Sequence, residues 1–290
     1  MATCLFCGNT HHKSSVFEDT VFNNKTFEYI KCSACGLIQV NPLPNADDLN
    51  KMYPVEYQSE VTGTNDNRYG FLFEELEKVQ LPVKKLLDYG CGAGQFLVEA
   101  RDRGYQAFGS EFNPDLVKQL AEKINGVQFV TIEEMLKPAY SESFDIILLN
   151  NVLEHLTNPK PIMEILKSKL NPNGVFILTG PIENNFNLTQ QSRKLIFSIR
   201  KNLFGKKASH TPTHIIYSNR NNQLAFFKNL GLETLVFNIS EGHWPYPSSL
   251  AQCTSTMQKA MYYIANTSVK MSKKFDFWGN VFLYIGRKVD

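Results

Sequence analysis

Between Val83 and Leu97 the chain reads VKKLLDYGCGAGQFL, an apolar run that ends on Asp88 and then places glycine at every second position, Gly90, Gly92 and Gly94. Such a run predicts a buried strand, and the glycines predict a tight turn whose backbone can adopt positive φ and approach a ligand closely. A helix beginning near Gln95 would complete a strand–turn–helix unit. The rest of the chain continues the pattern, with strands predicted at 83–88, 105–110, 127–131, 144–149 and 175–180 and helices between them. A further helix, NRNNQLAFFKNLG, ends at Gly231, where a left-handed cap costs little. LETLVFNIS and NVFLYIGRKV read as two closing strands. This alternation predicts an α/β fold, a parallel sheet covered on both faces. With 290 residues, 43% of them hydrophobic, the chain has enough apolar mass for one large domain and a small appendage.

The turn also narrows the ligand. In doubly wound sheets ligands bind beyond the carboxyl ends of the strands. A dinucleotide fingerprint needs G-x-G-x-x-G, but the third position falls on Gln95 in one register and on Leu97 in the other. No Gly-Lys-Ser/Thr follows, so a Walker loop is excluded. Asp88 would repel phosphate and complement a cationic or amine-bearing ligand. Glu111, closing the second strand in AFGSEFNP, stands where a carboxylate can accept hydrogen bonds from ribose hydroxyls. The pair points to a nucleoside without phosphates. The competing reading is a glycine turn needed only for close packing.

Asp88-x-Gly90-x-Gly92-x-Gly94, Glu111, FDIILLNNVLEHL and LNPNGVFILTGP occur in the order found in class I S-adenosylmethionine-dependent methyltransferases, which the chain resembles over about residues 83–240 and its final strand. The resemblance implies a seven-stranded Rossmann-like sheet of order 3-2-1-4-5-7-6 with strand seven antiparallel. It implies an enzyme with S-adenosyl-L-methionine as cofactor. Asp88 and the glycines would surround the methionine part and Glu111 the ribose. Ile132 and Glu133 would lie beside adenine, and Asn150 would contact the cofactor near the fourth strand.

Cys4, Cys7, Cys32 and Cys35 form two Cys-x-x-Cys pairs, followed by Gly8 and Gly36. Four thiolates on two turns are the ligand set of a structural, tetrahedral Zn2+ with no open position for catalysis. A redox pair would open a helix in a thioredoxin-like unit, and no such pattern surrounds these. His11 and His12 are competing ligands but read as surface residues. The expected organisation is a zinc ribbon over 1–42, a helical linker over 43–82, and the methyltransferase domain over 83–290, with helical insertions near 183–210 and 243–276. The ribbon joined to this domain resembles methyltransferases of deoxysugar and surface-glycan biosynthesis.

Charge separates the candidate acceptors. The formal net charge is +2, and the ribbon balances Lys13, Lys25 and Lys31 against Glu18, Asp19 and Glu28, a poor phosphate footprint. Nucleic acid is therefore not the expected partner, although an RNA methyltransferase using ribbon and basic lid is retained as an alternative, as is a non-catalytic cofactor-binding module. From Glu183 to Glu233 no acid intervenes, while Arg193, Lys194, Arg200, Lys201, Lys206, Lys207, Arg220 and Lys228 occur. That run is read either as a cationic lid for a small anionic acceptor, a nucleotide-linked or phosphorylated sugar, or as a solvated helix face. QQSRKLIFSIRKNLFGKK is amphipathic through Leu195, Ile196, Ile199 and Leu203, so it packs on the domain or rests on an anionic membrane. No apolar run approaches the ~20 residues of a membrane span, and the start MATCLFCGNTHHK lacks the apolar core of a secretory signal. A cytoplasmic location is expected.

Transfer to a hydroxyl needs a base, for which His155 in LEHL and His214 in HTPTHIIYS are the candidates, against capping or packing roles. In the sugar C-methyltransferases that the chain resembles, the segment matching PTHIIYS carries a Glu-His pair. Here Thr213 replaces the glutamate, which favours O- or N-methylation. His210 and His243 rank below. Tyr53, Tyr57 and Tyr69 are placed at the pocket by position alone. The acceptor, the methylated atom, the oligomeric state and the role of the second insertion are left open by the sequence.

Overall fold

The computed structural model describes residues 2–53, 68–79, 85–204, 211–242 and 247–289, with main chain alone at 200–204. Tyr57, His210, His243, Lys206, Lys207 and Pro82 lie outside the described residues, as does the connector 59–67.

The chain opens with β1 (His12–Ser14), β2 (Thr20–Phe22), β3 (Lys25–Cys32) and β4 (Ile38–Asn41). Helix α1 (Ala46–Met52) follows, its expected cap Asn45 exchanging hydrogen bonds with Asp48 in a capping box, and then α2 (Gly70–Val79). The strand–helix alternation runs through β5 (Lys85–Tyr89), α3 (Gln95–Asp102), β6 (Gln106–Glu111), α4 (Pro114–Lys123), β7 (Val127–Thr131), α5 (Ile132–Leu136) and β8 (Phe144–Asn150). It continues with α6 (Pro159–Lys169), β9 (Leu170–Pro181), α7 (Leu188–Phe204), β10 (Ile216–Tyr217) and α8 (Arg220–Asn229), and closes with β11 (Leu232–Ser240), α9 (Thr256–Ser272) and β12 (Val281–Lys288).

Seven of these strands form one sheet in the spatial order β7-β6-β5-β8-β9-β12-β11. Counted one to seven along the chain, that order is 3-2-1-4-5-7-6, and β12 runs antiparallel to both neighbours. The continuous apolar run of β8 follows from its place in the middle, where both faces are covered. β9 begins at Leu170 rather than 175, because Phe144 already pairs with Leu170 across a register shift. Asn173, at φ 61°, sits within that irregular entry. One apolar cluster lies between the sheet and α2 and α3, built from Leu72, Phe73, Phe96, Leu86 and Ile146.

The other sheet departs from a self-contained ribbon. Two-residue β10, far along the chain, pairs antiparallel with β4 through Ile216 opposite Gln39 and Tyr217 opposite Ile38. Phe6 stacks on Phe226 of α8 at 4.2 Å, and Phe17 meets Tyr217 at 5.0 Å. Cys4, Phe27 and Leu37 therefore share one buried cluster with Leu87, Phe176 and Tyr284 of the large sheet. This second face is what carries the site, because it holds the segment just before β10.

Candidate active site

The glycine turn hangs on the tip of β6. Gly90 and Cys91 donate their amides to the Ser110 carbonyl at 2.8 and 3.0 Å. Gly90, Gly92 and Gly94 all have positive φ, at 80°, 51° and 74°. A Cβ on Gly90 would stand 2.7 Å from Val152 Cγ2, so neither the backbone conformation nor the space tolerates a side chain there. Gly94 is the N-cap of α3 in the left-handed region.

Two cavities flank this turn and share Gly90 and Gly92. The smaller, about 170 Å³, is lined by Asp88, Asn150, Tyr69 and Gln95. The larger, about 480 Å³, is lined by Glu111, Phe112, Ile132, Leu136, Tyr53 and His155 among others. Glu111 is fixed from two sides: Gly92 donates its amide to Oε2 at 3.0 Å and Phe112 to Oε1 at 2.8 Å. Asn150 Oδ1 accepts from Thr179 Oγ1 at 2.6 Å, which orients its amide at the end of β8. Asp88 is 3% exposed and its Oδ1 has no hydrogen-bond partner among the described residues. Burial, with Glu111 nearby, pushes its carboxyl up to about 8. A buried, unpartnered carboxylate beside a side-chain-free cradle fits a cofactor that brings hydrogen-bond donors and positive charge.

Of the residues expected beside adenine, Ile132 lines the larger cavity. Glu133 is exposed and lines neither cavity, because in α5, capped by Thr131, it lies with exposed Glu134 on the face opposite buried Met135. Phe112 and Asn151, which the sequence reading passed over, also line the larger cavity, the latter at φ 54°. Tyr53 lines the larger cavity and Tyr69 the smaller, as their position in the linker suggests.

The two histidines are brought together. Their rings meet edge to face at 4.9 Å. His155 stands in a 3₁₀ turn after β8 and lines the larger cavity. Its Nδ1 lies 2.7 Å from the Thr213 carbonyl, which accepts the ring proton and leaves Nε2 with the lone pair. Tyr53 Oη sits 2.8 Å from the same nitrogen and donates to the Thr213 carbonyl at 3.0 Å. Burial and the neighbouring His214 bring His155 down to about 4.

His214 has an acid partner from elsewhere in the chain. Thr213 removes the adjacent acid, yet Glu183 supplies one from the end of β9, with Oε2 2.6 Å from His214 Nδ1. Burial alone would lower His214, but this bond and the Glu183 charge outweigh it and raise the ring. Glu154, 4% exposed, stands with Oε1 3.7 Å from His155 Nε2, and neither of its oxygens is hydrogen-bonded among the described residues. Burial pushes it up to about 7. Glu154, His155 and His214 bring one ligand atom each within 4.8 Å of one another. Glu183 holds His214 toward its imidazolium form, whose charge opposes a cation at this cluster. Glu183 had a sequence signal, since it is the last acid before the long acid-free stretch. Arg193 faces Glu183 at 3.5 Å and Lys194 donates to Asn184 at 3.0 Å, so neither lines the described cavities.

At the other end of the N-terminal sheet, the four cysteine sulfurs lie within 4.8 Å of one another. Cys4 and Cys35 are 3.6 Å apart, as are Cys7 and Cys32. Both turns are built alike: Gly8 and Gly36 have φ of 74° and 76° and donate to the Cys4 and Cys32 carbonyls. Four thiol ligands on protein turns suit zinc. His12 Nδ1 is 3.2 Å from the Thr10 carbonyl, outside this set.

Sheet order, glycine turn and strand-tip acids together define the class I S-adenosylmethionine-dependent methyltransferases. The model of the family described as "Methyltransferase domain" matches residues 61–235, more than half of the chain, and the chain belongs to that family. It is similar to the ubiquinone biosynthesis O-methyltransferase of Histophilus somni, 33% identical over 108 residues, 34% of this chain and 45% of that one. The tRNA 5-carboxymethoxyuridine methyltransferase of Escherichia coli K12 is 28% identical over 147 residues, 46% of this chain and 55% of that one. The chain thus spans about half the length of the curated relatives it matches. Among solved structures, a complex between the Haloferax volcanii Trm112 methyltransferase activator and a methyltransferase superposes with TM-score 0.52 at 16% identity, covering 84% of this chain and 98% of that one. The cyclase SpnF gives TM-score 0.52 at 17% identity, covering 85% and 98%. These two show the fold alone, and the second shows that the fold also serves other chemistry.

Proposed function

We propose that this enzyme methylates an oxygen or nitrogen of a small acceptor seated in the cavity that His155 lines. The observation that carries the reading is the juxtaposition of the glycine turn, Glu111 and His155 on one cavity, with Glu183–His214 directly behind. In it, Asp88, Gly90, Gly92, Gly94 and Asn150 hold the methionine end of S-adenosylmethionine, Glu111 the ribose, and Ile132 with Phe112 the base. When bound, the cofactor supplies an electrophilic methyl on a positively charged sulfur. His155, at the wall, takes the acceptor proton through Nε2. His214 acts through His155, and Glu183 sets its charge.

For the acceptor we propose a nucleotide-linked or phosphorylated sugar, supported by the cationic run between Glu183 and Glu233 and by the four-cysteine N-terminal unit, taken as a zinc ribbon over 1–42 ahead of a linker and the catalytic domain from 83. Its anionic part would lie beyond the cavity described, whose lining residues include no Lys or Arg. A second reading, RNA as acceptor, draws support from the likeness to the tRNA-modifying relative. One screen of labelled-methyl transfer over nucleotide sugars, phosphosugars and total RNA separates them. Turnover on sugars that His155→Ala abolishes supports the first reading. Transfer to RNA alone, with binding that falls steeply as salt rises, overturns it.

A further inference from the structure

The surface formed by the start of α7 and the end of α9 is unusual for a water-facing one. Phe186 stacks edge-on against Trp278 at 5.2 Å, Phe275 lies 6.5 Å from Trp278, and Phe277 lies 5.7 Å from Phe275. The indole is buried and donates to Ser268 Oγ, whereas Phe186, Phe275 and Phe277 are 56%, 42% and 46% exposed. Phe275 and Phe277 touch each other, and the buried indole of Trp278 joins Phe186 to Phe275, so the three half-exposed rings form one apolar patch rather than scattered exposure. α7 packs against α9 and leaves Leu195, Ile196 and Ile199 exposed on one stripe of its own.

Charge decides what covers this face. Lys270, Lys273 and Lys274 are exposed around the aromatic cluster, with Asp276 the acid among them. No Asp or Glu occurs between Glu183 and Glu233, nor between Glu241 and Asp276, so both helices are free of acids. A second copy of the chain would bring the same lysines against these. A bilayer carrying anionic headgroups complements them, and its interface is where aromatic rings beside cations are favoured. Among the described residues no helix is long and apolar enough to cross a membrane, so contact would be in the plane of the surface.

We propose that the Phe186–Phe275–Phe277 face, with Lys270, Lys273 and Lys274, docks this enzyme on an anionic lipid surface. The face is tied to the site: Asn185, two residues after Glu183, donates to the Phe277 and Gly279 carbonyls at 2.9 Å each. Docking therefore brings the segment that holds His214 close to the lipid headgroups. The proposal does not depend on which acceptor is methylated.

Co-sedimentation of the whole chain tests it. Vesicles of phosphatidylcholine with about 30% phosphatidylglycerol should pellet the protein at least about tenfold better than phosphatidylcholine alone, and ~0.5 M salt should release it. Phe275→Asp with Phe277→Asp should bring partitioning down to the neutral-vesicle level. Lys273→Glu with Lys274→Glu should remove the preference for the anionic lipid. Both double variants should keep their affinity for S-adenosylhomocysteine, which reports an intact fold and is read separately from docking. Absence of pelleting on anionic vesicles at low salt overturns the proposal, and so does equal pelleting of wild type and variants. A concentration-dependent dimer that Phe277→Asp splits would assign the face to a second copy and overturn it as well.

Discussion

Asp88 and His155 show how burial shifts two groups in opposite directions and leaves both uncharged near neutral pH. A carboxyl raised by burial keeps its proton in the folded protein after the unfolded chain has lost it. Its contribution to stability is therefore complete below the ordinary carboxylate range and is lost as pH rises through the folded value. With Asp88 at about 8 and Glu154 at about 7, the ligand-free enzyme should lose thermal stability progressively from pH ~4 up to ~8. Asp88→Asn should flatten that slope and raise the melting temperature at pH 8, while weakening S-adenosylmethionine binding at least about tenfold. Calorimetry and thermal melts across pH read both, and a variant that melts like wild type at every pH would refute the assignment. His155 is displaced the other way. Held down at about 4 by burial and by His214, its ring stays neutral and able to accept a proton in mildly acidic solution. The acid limb of kcat/KM should thus fall well below 6.5, the value of a free imidazole, and His155→Ala should cost about 100-fold or more in kcat. A limb at 6.5 that survives in His155→Ala would remove it from the reaction.

At the scale of elements, the turn between β5 and α3 makes the strictest demand. Gly90→Ala would place a side chain at φ 80° and against Val152, costing about 1–2 kcal/mol from the backbone alone. We expect a lower melting temperature and at least about tenfold weaker S-adenosylhomocysteine binding. Val152→Ala in the same chain should relieve the crowding and restore only part of the loss, because φ is unchanged. Full restoration would show that space, not backbone, set the requirement. This turn was legible in the sequence because glycine spacing and strand periodicity are local signals. So were the seven strands, whose apolar runs need no knowledge of their partners, and the cysteine turns with Gly8 and Gly36. What stayed hidden was made by distance along the chain. Glu183 reaches His214 only because β9 and the segment before β10 end side by side, and Tyr53 meets His155 from beyond β4. β10 itself is two residues long, too short to carry a period. Its pairing with β4 continues a bond in which the Val40 amide donates to the Ile215 carbonyl at 3.0 Å.

For the molecule as a whole, these long-range pairings make the N-terminal sheet part of the catalytic half. The chain of contacts is continuous: Gly36 accepts from Asn184 at 3.0 Å, β4 holds β10, Ile215 donates to the Glu154 carbonyl at 2.7 Å, and His214 precedes it. Phe6, Phe17 and Phe27 are buried in the cluster that also holds Phe226 and Tyr284, and each buried aromatic contributes roughly 1.5–3 kcal/mol. A metal at Cys4, Cys7, Cys32 and Cys35 would therefore stabilise more than its own two turns. We predict about one zinc per chain by elemental analysis and a single cooperative melting transition. Chelation at neutral pH should lower that one transition and depress kcat, with cofactor affinity much less affected, since the glycine turn lies between α3 and β5 of the large sheet, with which β4 does not pair. Cys7→Ser with Cys32→Ser should behave like the chelated protein without chelator. If the metal is absent, or if its removal melts a separate small unit and leaves turnover intact, the two sheets are independent and His214 is positioned by the catalytic half alone.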